Sequence, residues 1–123
     1  MFELTIKTHF DAAHSLTGYP GECARLHGHS FKIDVMVAGE TLNDIGLLFD
    51  FKDLKDKVNA VLDRFDHRHM NEIPPFDRIS PTAENFARFL WGELSADGIL
   101  PDTVRVSRIN VWESDTACIS YFE

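Results

Sequence analysis

Two runs of strictly alternating hydrophobicity constrain this chain most, because both carry histidines at apolar positions. Phe2, Leu4, Ile6, Phe10 and Ala12 share one parity, and His14 continues it; Glu3, Thr5, Lys7 and His9 share the other. A Gly/Pro-rich connection (Gly18, Pro20, Gly21) leads to a second run. There His27, His29, Phe31, Ile33, Val35 and Val37 lie opposite Lys32, Asp34 and Met36. A period of two is that of a strand with one face in the core. The pattern therefore predicts a pair of strands that places three imidazoles on or at the end of the apolar face.

Between residues 50 and 95 the period changes to that of helices. Leu54, Val58, Val61, Leu62 and Phe65 make one apolar stripe, with Asp50 as its expected N-cap. Ser80-Pro81 reads as the start of a second helix, a cap followed by proline at the first helical position, with Phe86, Phe89, Leu90 and Leu94 as the stripe. Strand character returns in Val104 and Val106, then Ile109 and Val111, then Ile119 and Tyr121. The apolar phase slips between Val106 and Ile109, which suggests a bulge. Strands in pairs around paired helices predict an α+β domain in the order ββααββ. This is a four-stranded antiparallel sheet with two helices on one face, spanning 1–123 as a single domain.

An H-x-H pair on a strand projects both rings to one side, and an antiparallel neighbour brings His14 opposite them. Three neutral imidazoles suit Zn²⁺ and leave a fourth position open. The competing reading, core histidines satisfied by hydrogen bonds, applies to any one of them alone. Cys23, four residues before His27, is a spectator thiol, a fourth ligand closing a structural site, or a nucleophile or base beside an open one. Cys118, in the apolar tail strand, reads as a packing residue. Asp66-His67 is either a carboxylate–imidazole relay or a solvated helix end. Glu113 shares the face of Ile109 and Val111. It is either half of an internal salt bridge or an acceptor for a donor-rich ligand edge such as a pterin offers. Glu84 sits in the first turn of the second helix, where the helix dipole favours a carboxylate.

Net charge is −8 with histidines neutral, which argues against duplex nucleic acid as a partner. Arg25, Lys32 and Arg68 are the local cations available to a phosphate. Two cysteines make no disulfide framework, and neither a signal peptide nor a membrane span is expected, so a cytoplasmic protein is.

Five segments in order, FDAAH ending at His14, CARLHGH from Cys23 to His29, FDHRHMN from Phe65 to Asn71, PTAEN from Pro81 to Asn85 and WES from Trp112 to Ser114, resemble the motifs of the 6-pyruvoyl-tetrahydropterin synthase family. Phe65 and Met70 stand where that family usually has leucine. The resemblance implies the tunnelling fold, in which sheets of neighbouring subunits close a barrel in a homo-oligomeric trimer or hexamer with active sites at subunit interfaces. It implies zinc on His14, His27 and His29, and Cys23 as thiolate base. His67 and Asp66 would form a relay supplied by a neighbouring subunit. Glu113 would anchor a pterin substrate, with Thr82 and Glu84 in support. Three residues separate Cys23 from His27, a spacing similar to that of bacterial 6-carboxytetrahydropterin synthases. The reaction so implied converts 7,8-dihydroneopterin triphosphate to 6-carboxy-5,6,7,8-tetrahydropterin, acetaldehyde and triphosphate, on the route to queuosine. The alternatives are 6-pyruvoyl-tetrahydropterin synthase chemistry, which eliminates triphosphate only, and a non-catalytic zinc or pterin-binding module.

Overall fold

A computed structural model describes residues 1–16, 18, 21 and 24–123. The two alternating runs form strands β1 (Phe2–His14) and β2 (His27–Gly39), paired antiparallel so that Phe10 faces Phe31 and His14 faces His27. Leu4, Ile6, Phe10, Ala12 and His14 are buried on the expected parity, as are Phe31, Ile33, Val35 and Val37. Gly39 closes β2 where a Cβ would fall against the Thr103 carbonyl and 2.8 Å from Leu48 Cδ1, so only glycine fits this approach.

Helix α1 (Phe51–Leu62) begins at Asp50, whose carboxylate accepts from Lys52 N at 2.7 Å and Asp53 N at 3.2 Å. Its Leu54, Val58 and Leu62 are buried, and Phe65 beyond it is too. Three residues after Phe65 chain and sheet meet again. The dipeptide Arg68–His69 (β3) pairs in parallel with Ala12 and Ala13, followed by one 3₁₀ turn, Met70–Glu72. Helix α2 (Ala83–Ser95) starts later than Ser80-Pro81 suggested. Its cap is Thr82, extended at φ −70° and ψ 159°, whose hydroxyl accepts from Asn85 N at 3.0 Å. Ser80 and Thr82 are both capping types, and the choice falls to Thr82 because Asn85 Nδ2 engages the Ser80 carbonyl at 2.9 Å. Phe86, Leu90 and Leu94 form the buried stripe, with Ala83 and Ala87 beside it.

Strands β4 (Arg105–Ser114) and β5 (Ala117–Tyr121) complete a five-stranded sheet in the order β3-β1-β2-β4-β5. The expected four strands are present; the fifth is β3, too short to carry any periodicity. The suggested bulge is also present: Met36 pairs with Arg108 but Val37 with Val106, which leaves Ser107 extra. Two residues behave differently from expectation. Asp34 is only 5 % exposed, because Trp112 Nε1 at 3.0 Å and Asn110 Nδ2 at 3.1 Å both donate to it. Cys118, expected to pack, is exposed, since it is out of phase with the half-buried Ile119 and Tyr121.

Both helices cover one face, and an aromatic cluster fills the space between. Phe86 lies 5.1 Å from Phe10, 5.4 Å from Phe65 and 5.8 Å from Phe76, measured between ring centroids. Among the described residues no helix is long and apolar enough to cross a membrane.

Candidate metal centre

The β1–β2 hairpin does what the parity required: it ends in three histidines, His14 and His27 in register and His29 opposite Ala12. Their rings stand nearly edge-to-face, with centroids 4.5, 5.0 and 4.8 Å apart. One nitrogen from each lies within 4.8 Å of the others.

Hydrogen bonds on the far side of two rings decide which nitrogen is free. His14 Nδ1 is 2.8 Å from the Pro81 carbonyl and His27 Nδ1 is 2.7 Å from the Arg25 carbonyl. A carbonyl can only accept, so both Nδ1 atoms carry the proton and both Nε2 atoms present lone pairs. Those two Nε2 atoms are 3.0 Å apart, and His29 Nε2 is buried with no partner among the described residues. Such an arrangement repels itself unless a cation sits among the three. Nε2 atoms bound to one tetrahedral Zn²⁺ lie about 3.3 Å apart, close to the spacing here. Burial, first of all, pushes the His14 imidazole below its usual pKa. The Pro81 carbonyl opposes this, His27 and His29 add to it, and the Glu113 carboxylate opposes it again. The balance favours the neutral ring that a metal needs. The donor set therefore fits a divalent cation of the zinc class.

A second cluster forms beside it, from Asp11, Asp66 and His67. Asp11 is out of phase with His14 on β1, so those two side chains leave opposite faces of the strand, while His29 and His67 line one open groove. Asp66 Oδ2 is 3.0 Å from His67 Nδ1. The backbone of Asp11 grips the pair twice, its N–H donating to Asp66 Oδ1 at 3.0 Å and its carbonyl accepting from His67 N at 2.6 Å. This holds His67 at φ 57°, a left-handed conformation that non-glycine residues adopt only where surroundings enforce it. The Asp11 N–H, and then His67, keep the Asp66 carboxyl below the usual range. The Ser30 hydroxyl donates to the Asp11 carboxylate. Sequence reading missed Asp11 and the Pro81 carbonyl. Asp11 and Ser30 face each other across the hairpin, a pairing visible once the register is known.

The remaining candidates are distributed unevenly. Glu113 is half-buried where the β4–β5 register shifts between Trp112 and Ser114, close enough to His14 to affect its titration. Among the described residues it makes no ion pair, which removes the internal salt bridge considered for it. The Thr82 hydroxyl caps α2, and Glu84 is exposed on the first turn of that helix. Cys23 lies outside the described residues. Of the cations, Lys32 is paired with Asp115 at 2.7 Å on the sheet face away from the helices, while Arg25 is exposed. Arg68 borders, with His67, His69 and Asp11, an open groove of about 620 Å³.

Comparison with known proteins places this geometry. The sequence profile described as 6-pyruvoyl tetrahydropterin synthase matches residues 3–123. The chain is 30% identical to the 6-carboxy-5,6,7,8-tetrahydropterin synthase of Haemophilus influenzae over 145 aligned positions, which cover 100% of both chains. It is 38% identical to the dihydroneopterin monophosphate aldolase of Pyrococcus furiosus over 106 positions, covering 86% of this chain and 84% of that one. Among solved structures, the 6-pyruvoyl tetrahydropterin synthase of Caenorhabditis elegans superposes with a TM-score of 0.87 at 24% identity, over 99% of this chain and 95% of that one. That likeness identifies the fold, which is the tunnelling fold. With the profile spanning nearly every residue, the histidine hairpin included, the chain belongs to the 6-pyruvoyl tetrahydropterin synthase family.

Proposed function

We propose that the protein is a zinc-dependent, cytoplasmic lyase acting on a pterin. In this reading a single domain over 1–123 converts 7,8-dihydroneopterin triphosphate and one water to 6-carboxy-5,6,7,8-tetrahydropterin, acetaldehyde and triphosphate, a step toward queuosine. The observation that carries the reading is the trio of Nε2 atoms, two aimed by carbonyls and one buried without a partner among the described residues. The full-length relationship to a 6-carboxytetrahydropterin synthase supports the choice of reaction.

A zinc ion on His14, His27 and His29 would supply Lewis-acid polarisation of the substrate's side-chain oxygens. The chain's own groups do the rest. Cys23, which lies outside the described residues, serves as thiolate base in this reading, the role the family resemblance implies for it. His67 carries protons at Nε2, because Asp66 holds its Nδ1 at 3.0 Å and so selects the tautomer. Glu113 accepts from the N–H groups of the ring's guanidine-like edge, with Thr82 and Glu84 in supporting contacts. The Asp11 carboxylate clustered with the Asp66–His67 pair leaves β1 on the face opposite His14. This supports a homo-oligomer, a trimer or hexamer, in which one subunit's relay completes its neighbour's site.

Glu113→Gln tests the anchor. It keeps the side chain's shape but loses a charged acceptor worth roughly 1.5–3 kcal/mol, so pterin affinity should fall about tenfold to a hundredfold with the fold intact. Fluorescence titration with a pterin measures this; unchanged affinity would move the anchor elsewhere.

The Pyrococcus relative favours a second reading, aldol cleavage of dihydroneopterin monophosphate. One assay separates the possibilities. Zinc-loaded protein is given the triphosphate and, separately, the monophosphate, and aldehydes are trapped while pterins are identified by mass. Acetaldehyde appearing in step with triphosphate supports the carboxy-forming reaction. Glycolaldehyde phosphate from the monophosphate supports the aldolase. Triphosphate release with the three-carbon side chain intact would assign the pyruvoyl-forming reaction, and no turnover of either substrate a non-catalytic module.

A further inference from the structure

Two asparagines outside the ligand set hold the most buried of the three histidines from both ends. Asn71 follows the two-residue strand β3 and continues its pairing with a side chain in place of backbone. Its Oδ1 accepts from Ser15 N at 2.9 Å and its Nδ2 donates to Ser15 O at 3.0 Å. Ser15 is the residue after His14, so this amide fixes the end of β1 at the point where the ligand emerges. Asn85 acts on the ring itself only through Pro81, at Nδ1. Its Nδ2 donates to Ser80 O at 2.9 Å and its backbone N–H to Thr82 Oγ1 at 3.0 Å. Between these two anchors lies Pro81, whose carbonyl receives His14 Nδ1 at 2.8 Å. Proline has no N–H with which to tie the turn down, so the position of its carbonyl depends on the bonds at Ser80 and Thr82.

We propose that Asn71 and Asn85 are positioning residues for the metal, two amides that set the place and the tautomer of His14. The inference rests on the zinc reading above and adds the two residues that determine how well His14 can serve it. His14 is fully buried, so water cannot replace a carbonyl that drifts away. A ring without its Nδ1 acceptor is free to rotate or change tautomer, and then the lone pair at Nε2 is lost. Outer-shell partners of this kind are typically worth roughly 10- to 100-fold in metal affinity.

The test measures zinc affinity by chelator competition in wild type, Asn71→Ala, Asn85→Ala and a control, Asn110→Ala. Asn110 is a half-buried asparagine that serves Asp34 on the opposite sheet face and touches no candidate ligand. Asn71→Ala and Asn85→Ala should each weaken zinc roughly 10- to 100-fold, and Asn110→Ala by less than about twofold. The cobalt-loaded proteins provide a second measurement: the visible ligand-field bands should shift in the first two variants and stay in place in the third. Wild-type affinity and unshifted bands in both Asn71→Ala and Asn85→Ala would overturn the proposal, as would an equal loss in Asn110→Ala. A wild type that binds no zinc would instead overturn the metal reading itself, and this inference with it.

Discussion

Replacing His27 or His29 with alanine should strip the protein of zinc, while His9→Ala should leave about one ion per chain, as expected of a three-histidine site. His9 is exposed on the other parity of β1 and contributes nothing to the trio. Removing one of three ligands should exceed the roughly 100-fold loss that removal of an outer-shell partner causes at most. Metal analysis after dialysis against a weak chelator reads the result directly. A thermal measurement gives a second, independent sign. Binding to the native state alone stabilises it by mass action, so zinc should raise the Tm of wild type and of His9→Ala but not of the other two variants. The metal-free forms should differ little in stability. Deleting His27 gives up one bond to the Arg25 carbonyl but also relieves the 3.0 Å contact between two lone pairs. Zinc retained at full affinity in both variants would move the metal elsewhere.

The second large effect is on the fold. Phe86→Ala should destabilise the metal-free protein by about 3–5 kcal/mol. Phe86 is 2 % exposed at the junction where α2 meets the sheet, in contact with the rings of Phe10, Phe65 and Phe76. None of those rings can collapse into the vacated space without leaving another partner, so the cavity term adds to the lost burial. For a chain of this size that corresponds to a fall in Tm of roughly 10–20 °C. Phe89 sits at the margin of the same cluster and is only half-buried, so Phe89→Ala should cost less. Denaturant titration checks both, a lower midpoint at unchanged slope marking lost stability. A Phe86→Ala midpoint within error of wild type would mean that the aromatic cluster does not hold α2 to the sheet.

The legible parts of this protein are those whose signal lies within a few residues. Alternation over 2–14 and 27–37 identified both long strands and their buried faces, because side-chain direction on a strand depends only on parity. The same rule marked His14, His27 and His29 as inward before any contact was known. A phase slip between Val106 and Ile109 revealed the Ser107 bulge, since an extra residue must shift every later side chain. Asp50 was readable as a cap because the bonds it makes reach only two and three residues ahead.

Tertiary structure decided the rest, wherever the partner is remote in sequence. Ser80-Pro81 read as the start of the second helix, yet Thr82 caps it once Asn85 Nδ2 takes the Ser80 carbonyl and Pro81 turns its own toward His14, 67 residues away. Asp34 follows the polar alternation and is nevertheless buried, because Trp112 and Asn110 reach it from a strand more than 70 residues later. Strand β3 exists only because β1 has an open edge beside Arg68 and His69. The chain determined by itself which residues point inward, since that is set by local backbone geometry. Which inward groups find a hydrogen-bond partner, and hence which imidazole nitrogen keeps its lone pair, was decided only when distant segments packed together.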